Sequence, residues 1–391
     1  MMKEHRKDIR GRGASSNSAS RFLSQHFEAT VEDHDHYADD LDRLVMTDGL
    51  VSADELARAD ELVKTGLVRT TEKSIWLTEL IKDSSRTIIT SNDSPDVGFN
   101  YSINSYRGCE HGCAYCYARP THEYLGYSAG LDFESKIHVK YEAPLLLRQA
   151  LMKKSWQGQT LFMSGVTDCY QPIERKLKLT RGCLEVLREF KNPIGIITKN
   201  ALVTRDIDIL KDMAQWNGVM VFLSITTLDS ELARALEPRT STPAAKLVAL
   251  EKLSEAGIKT GVNIAPVIPG LTDAEIPGIL KAAKGVGAHV AGYGLLRLPG
   301  AVLPIFEEWL ETHQPLKKDK VLNSIRDTRG GKLNVASFGE RMRGVGVYAD
   351  QINHLFKLWI RKLGFQKMEV NLNSQHFQRP PQKGDQLGFE F

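Results

Sequence analysis

The sequence predicts an α/β fold, a partial (β/α)6 barrel with N-terminal and C-terminal extensions. Three observations predict it. From about Asn100 to residue 297, apolar runs of strand length alternate six times with stretches of helical period. Turn and cap signals separate the units: Asn192-Pro193, Ala256-Gly257, and Gly285 with Gly287. No G-x-G-x-x-G follows the first run, which argues against a doubly wound dinucleotide-binding sheet.

The strand-length runs are 101–106, 160–164, 193–198, 219–225, 259–265 and 289–297. Between them lie amphipathic stretches at about 142–154, 179–190, 202–214, 243–256 and 274–284. Such alternation builds a parallel sheet with crossover helices, and chemistry then gathers at the C-terminal ends of the strands. This barrel occupies residues 96–312. Residues 1–45 form a mostly disordered segment: 1–26 are rich in Arg, Ser and Gly, and 28–43 are acidic. Asp33, His34, Asp35 and His36 read there as a solvated loop rather than a metal site. Residues 46–95 read as a helical extension, with a capping box from Ser52 to Glu55 opening a helix over 53–64. Residues 313–391 form a C-terminal extension with one long helix, about Ala349 to Leu363, and a tail that packs on the core or frays.

Composition narrows the function. The 391 residues are 42% hydrophobic and 25% charged, ordinary for a protein with a sizeable core. A net charge of +3 gives no global argument for nucleic acid or membrane. The opening MMKEHRKDIRGRG has no apolar stretch, so it is not a secretory signal. No run of apolar residues is long enough to span a bilayer. Five cysteines, three of them within eight residues, do not resemble a disulfide framework. They point to metal or catalysis in a reducing compartment, the cytoplasm.

The cluster reads Arg107-Gly-Cys109-Glu-His-Gly-Cys113-Ala-Tyr-Cys116, directly after the first predicted strand. Three thiolates on one tight loop can reach three corners of a cubane iron–sulfur cluster. Gly108 and Gly112 let the backbone turn close to it. A structural zinc site wants a fourth ligand, usually from a second pair, and no second C-x2-C exists. Cys169 and Cys183 are remote in sequence. Three ligands leave one iron open, as a catalytic [4Fe–4S] cluster requires.

C-x3-C-x-Φ-C after the first barrel strand resembles the radical SAM superfamily. The resemblance implies that the open iron chelates S-adenosylmethionine (SAM), that an electron from the reduced cluster breaks a sulfur–carbon bond, and that a 5′-deoxyadenosyl radical results. The electron would come from a reductant such as flavodoxin or ferredoxin. Tyr115 fills the aromatic position that lies against adenine. Ser164 to Pro172 follow the second strand; Ser164, Thr167 and Asp168 are candidates for the SAM amino group, with a plain strand-to-helix loop capped by Asp168 as the other reading.

The chain further resembles the spore photoproduct lyase branch, a DNA-repair group. Thr167-Asp168, Thr198-Lys199 and Ser224-Ile225 match its strand-end motifs, so Lys199 and Ser224 join the SAM candidates, with Asn263 a weaker one. Uncharacterised lyase-like proteins share Asn92-Asp-Ser-Pro-Asp-Val-Gly-Phe99 and the run Gly108 to Cys113. One departure stands out. Where the lyase keeps its hydrogen-donor thiol, this chain has Gly165. Cys169, four residues on, is either a catalytic donor or a small buried hydrophobe. Glu237-Pro-Arg239 either reaches the barrel mouth or forms an exposed ion pair. Arg175, Lys176, Lys178 and Arg181, with Arg341, Arg343, Tyr117, Tyr124, Tyr127 and Trp156, supply charge and aromatic surface for DNA or RNA. A solvated helix face is the alternative for the charges. A macromolecule other than nucleic acid, a small-molecule substrate, and a non-catalytic metal-bearing module that binds nucleic acid also remain open.

Overall fold

The computed structural model describes residues 11–17, 77–368 and 371–381. The helix expected over 53–64 and the acidic stretch 28–43 lie outside them.

Among the described residues ten strands follow in chain order: β1 (Glu79–Lys82), β2 (Ile89–Ser91), β3 (Tyr101–Ile103), β4 (Tyr106–Arg107), β5 (Lys136–Val139), β6 (Leu161–Met163), β7 (Ile194–Thr198), β8 (Val219–Ser224), β9 (Lys259–Val267) and β10 (Val290–Leu295). Seven form one sheet in the order β10-β9-β8-β7-β6-β3-β2. β3, β6, β7, β8, β9 and β10 pair in parallel; β2 adds an antiparallel edge on β3. The sheet ends on β10 and β2, so it is a partial barrel. β8 (VMVFLS) is buried along its whole length, as expected for a parallel strand covered on both faces.

The covering helices match the expected amphipathic stretches. Leu179–Glu189 buries Leu179, Thr180, Cys183, Leu184, Val186 and Leu187 along one face. Pro243–Glu255 opens on Thr242, whose side chain accepts from the Ala245 N–H, with Pro243 at the first helical position. Ile276–Gly285 packs against the C-terminal helix Val347–Lys362.

Four expectations change. The run 101–106 divides between two sheets, because the Asn104 side chain accepts from the Gly165 and Val166 N–H groups and the chain turns out of the main sheet. β4 then joins β5 and β1 in a small second sheet. Within 46–95, the described part carries β1 and β2 instead of helix; β-branched Ile89-Thr90 suits pairing with β3. Residues 11–17 are not disordered, since they lie against the cysteine loop. The C-terminal extension has a second helix, Lys318–Asp327. Its tail packs: the Gln378 N–H donates to the Phe190 carbonyl, and Phe377 lies against Gly158.

The small sheet holds a test of stability. His122 is fully buried, its Nε2 lies 3.0 Å from the Lys136 carbonyl and its Nδ1 has no partner. Burial, with His138 nearby, pushes its pKa down to about 4. A histidine depressed in the folded state stabilises the fold above its unfolded pKa, about 6.5. That contribution is lost as pH falls from there toward about 4. Denaturant titrations across this window should show an acid-side loss of about 3 kcal/mol. His122→Gln should flatten it; an unchanged slope would discard the assignment.

Candidate functional site

The cysteine loop starts one residue after β4 and sits at the C-terminal ends of the parallel strands, joined to them by Thr167, whose hydroxyl donates to the Gly108 carbonyl at 2.6 Å. Cys109 and Cys113 are buried and Cys116 is partly exposed. Cys109 and Cys116 pack with Ala118 and Phe133. Cys113 and Tyr115 pack with Leu236, Ile268 and Leu296.

A buried ion pair fixes the loop. Arg119, wholly buried, donates from Nε (3.0 Å) and Nη2 (2.9 Å) to the Cys113 carbonyl, and from Nη1 to the carbonyls of Ala129 and Gly130. Its Nη2 also pairs with Glu134. Glu134 in turn accepts from the Gly13 (3.0 Å) and Ala14 (2.9 Å) N–H groups. Arg12 donates to the Glu134 carbonyl at 2.6 Å. Gly13 presses on the loop so closely that a Cβ there would lie 1.6 Å from the Gly112 carbonyl oxygen. Gly112 itself has φ +66°, and a Cβ on it would meet Glu134 Oε2 at 2.6 Å. The Arg-Gly segment therefore straps the outside of the loop.

The donor set fits an iron–sulfur cluster. Burial pushes the Cys113 thiol far up, and Cys116 to about 11. Thiols so placed ionise when a soft cation takes the charge. Among the described residues no three Cys, His, Asp or Glu side chains converge on a single ion. In a cubane each thiolate holds a separate iron, so the three sulfurs need not converge.

Each SAM candidate has a place. Tyr115 is buried, its hydroxyl bonded to Glu237 and 3.2 Å from Thr226 Oγ1. Lys199 follows β7; its Nζ donates to the Ala265 carbonyl at 3.0 Å, lies 3.2 Å from Glu237 and stands over the Tyr115 ring. Ser164 ends β6 with φ +81° and accepts from the Cys169 N–H. Asp168 accepts from Thr198 Oγ1 (2.7 Å) and the Lys199 N–H (2.8 Å), and faces His111 Nδ1 at 3.4 Å. Burial opposes its charge, but His111 and these donors hold its pKa below the usual carboxylate value. Ser224 and Asn263 are register partners on β8 and β9.

Other readings are revised. Glu237 is no exposed pair: it is 2% exposed and held between Lys199 and Lys246, whose Nζ donates at 2.7 Å. Its pKa is driven well below the carboxylate range by the two lysines, against the cost of burial. Cys169 packs in the main hydrophobic core, and burial drives its thiol far up, as in a packing role. Trp156 is buried against Tyr101 and donates to Asn192, so it offers no stacking face. Arg181 is paired with Asp206 and Asp208, whereas Arg175, Lys176 and Lys178 are exposed. Arg119, Glu134, His111 and Lys246 were missed. Arg119 and His111 had one signal each, a place three residues after Cys116 and a place inside the cysteine loop; Glu134 and Lys246 are joined to the site only by the fold.

Fold and site together define a parallel α/β partial barrel with a three-cysteine loop at its strand ends. Residues 103–283 match the radical SAM superfamily, so this span is a radical SAM domain. Members use a [4Fe–4S] cluster and SAM. An uncharacterised protein of Mycobacterium tuberculosis is 37% identical over 222 residues, 56% of this chain and 64% of that protein. The chain thus spans just under two thirds of that relative's length. An uncharacterised protein of Methanocaldococcus jannaschii is 34% identical over 197 residues, 50% of this chain and 71% of that one. Spore photoproduct lyase in complex with a dinucleoside spore photoproduct shares the fold, with TM-score 0.55 and 17% identity over 73% of this chain and 79% of that one. No helix among the described residues is long and apolar enough to cross a membrane.

Proposed function

We propose that Cys109, Cys113 and Cys116 hold a [4Fe–4S] cluster and that the protein is an enzyme cleaving SAM reductively, acting on nucleic acid in the manner of a repair lyase. The observation that carries this reading is the three-cysteine loop clamped by Arg119 at the mouth of a parallel barrel. When bound, the cluster and SAM supply a 5′-deoxyadenosyl radical; the protein supplies binding, orientation and exclusion of water. Tyr115, anchored through its hydroxyl, offers a fixed ring face for adenine. Lys199, positively charged and partly exposed, offers an ammonium to the SAM carboxylate. Ser164, Thr167 and Asp168 offer polar groups to the amino end, and Ser224 and Asn263 to the ribose. Gly165, where the lyase keeps a thiol, speaks against thymine-dimer reversal by the same donor.

Anaerobic reconstitution, reduction with dithionite and addition of SAM should release 5′-deoxyadenosine, and damaged DNA or tRNA should raise that release. A fully loaded [4Fe–4S] protein that releases none with any candidate substrate would overturn the enzymatic reading. Zinc in place of iron, with no brown absorbance, would favour a non-catalytic nucleic-acid-binding module. Release without stimulation by nucleic acid would remove the substrate assignment alone.

A further inference from the structure

Three arginines gather where β10 ends. Arg297 lies two residues past that strand. Arg329 donates through Nη2 to the carbonyls of Leu296 and Arg341. It is 2% exposed, yet its Nε and Nη1 are buried without a partner. Nε of Arg297 is buried and unpartnered too, and its Nη1 makes only a long contact of 3.9 Å with Met342 Sδ. Arg341 is held by Asp96 and Ser94, in the Asn92–Phe99 stretch singled out in the sequence. Asp96 is a carboxylate that acts on Arg297, and it is committed to Arg341 and the Gly339 N–H.

Guanidinium groups stay charged, and a buried donor left unpaired costs as much as a lost hydrogen bond. Burial pushes the Arg297 and Arg329 pKa values down, with Arg341 adding to the effect on Arg297 and Arg297 to that on Arg329. Such an excess of unpaired positive charge calls for an anion. The fork of a guanidinium matches an oxyanion with two acceptor oxygens.

Position names the occupant. The Arg297 guanidinium carbon lies 5.6 Å from the ring centre of Tyr117, the residue after Cys116. Tyr117 is 51% exposed and is held by its hydroxyl, which donates to the Gly165 carbonyl at 2.8 Å. The group therefore bridges the end of β10, the cysteine loop and the end of β6. A fixed, exposed aromatic ring beside unpaired guanidinium groups suits a nucleotide, with base on ring and phosphate on arginine. We propose that Arg297 and Arg329 form an oxyanion site at the barrel mouth, and that its occupant is a backbone phosphate of a nucleic-acid strand. This rests on the nucleic-acid reading above and adds the residues that would hold the strand.

The test uses the cluster-loaded protein and a fluorescein-labelled single-stranded DNA, with RNA of the same sequence alongside, in anisotropy titrations over a salt series. Arg297→Gln should weaken binding roughly tenfold and lower the salt slope by about one. Arg297→Lys, which keeps the charge but loses the fork, should fall between. Arg329→Gln should act in the same direction; if it does not fold, Arg297→Gln carries the test. SAM affinity, measured by equilibrium dialysis, should not move. Equal binding by wild type and Arg297→Gln would overturn the site. A loss of SAM affinity with strand binding intact would also overturn it, assigning the oxyanion to the SAM carboxylate. A wild-type protein that binds neither strand would end both this site and the nucleic-acid reading, while 5′-deoxyadenosine release without nucleic acid would leave the radical reading standing.

Discussion

Cys113→Ser is expected to remove the iron–sulfur chromophore and lower 5′-deoxyadenosine release by more than about a hundredfold, beyond what loss of an outer-shell partner of a metal ligand costs. Cys113 is the middle cysteine of the loop, and its carbonyl receives two bonds from Arg119. A serine keeps the backbone and the packing with Tyr115 and Leu236. It loses the soft thiolate that would hold iron in the proposed cluster. Iron analysis, visible absorbance and electron paramagnetic resonance of the reduced protein read the loss directly. Thermal unfolding of the apoprotein should be almost unchanged, which separates a missing ligand from a missing fold. Full iron loading in Cys113→Ser would refute the ligand assignment.

Arg119→Ala should act on stability and on the cluster together. The substitution strands Glu134 in the interior without its guanidinium partner, leaving the Gly13 and Ala14 N–H groups and the nearby Arg12 charge to face it. It also unsatisfies carbonyls of Cys113, Ala129 and Gly130. Breaking one partner of a buried pair costs about 3–5 kcal/mol. Against the roughly 5–15 kcal/mol that holds a typical domain, this is a large fraction. Urea unfolding of the apoprotein measures it, and the rate of iron release to a chelator reports the freed loop. Arg119→Lys should restore little, because an ammonium cannot reproduce a fork that reaches three carbonyls and a carboxylate. A variant as stable as wild type, with iron held equally long, would show that the loop is fixed by other contacts.

The order of strands and helices was legible because it depends on local pattern. Runs such as 193–198 and 219–225 are apolar enough to be buried on both faces, and the intervening helices carry one apolar stripe each. The small sheet was not legible. β4 has two residues and β5 four, too short for a periodic signal, and their pairing is decided by contacts distant in sequence. Residues 11–17 read as disordered because their composition buries little apolar surface; they are ordered by hydrogen bonds to Glu134, more than a hundred residues away.

The sequence by itself determined the candidate donors: three cysteines at C-x3-C-x2-C, with no fourth nearby, just after the run 101–106. Residue identity and spacing are covalent facts of one short segment, so no tertiary contact is needed to read them. Only the tertiary structure decided how that loop is held and what surrounds it. Arg119 finds Glu134 because the chain between them doubles back, and Glu237 is buried between Lys199 and Lys246 because helix Pro243–Glu255 packs against β8, β9 and the segment Ala201–Asp206 that follows β7. Arg297 and Arg329 meet because the C-terminal extension folds over the end of β10. A charged side chain looks the same in sequence whether it is solvated or buried. Its energy differs by several kcal/mol between the two, and that difference belongs to the environment that the fold creates.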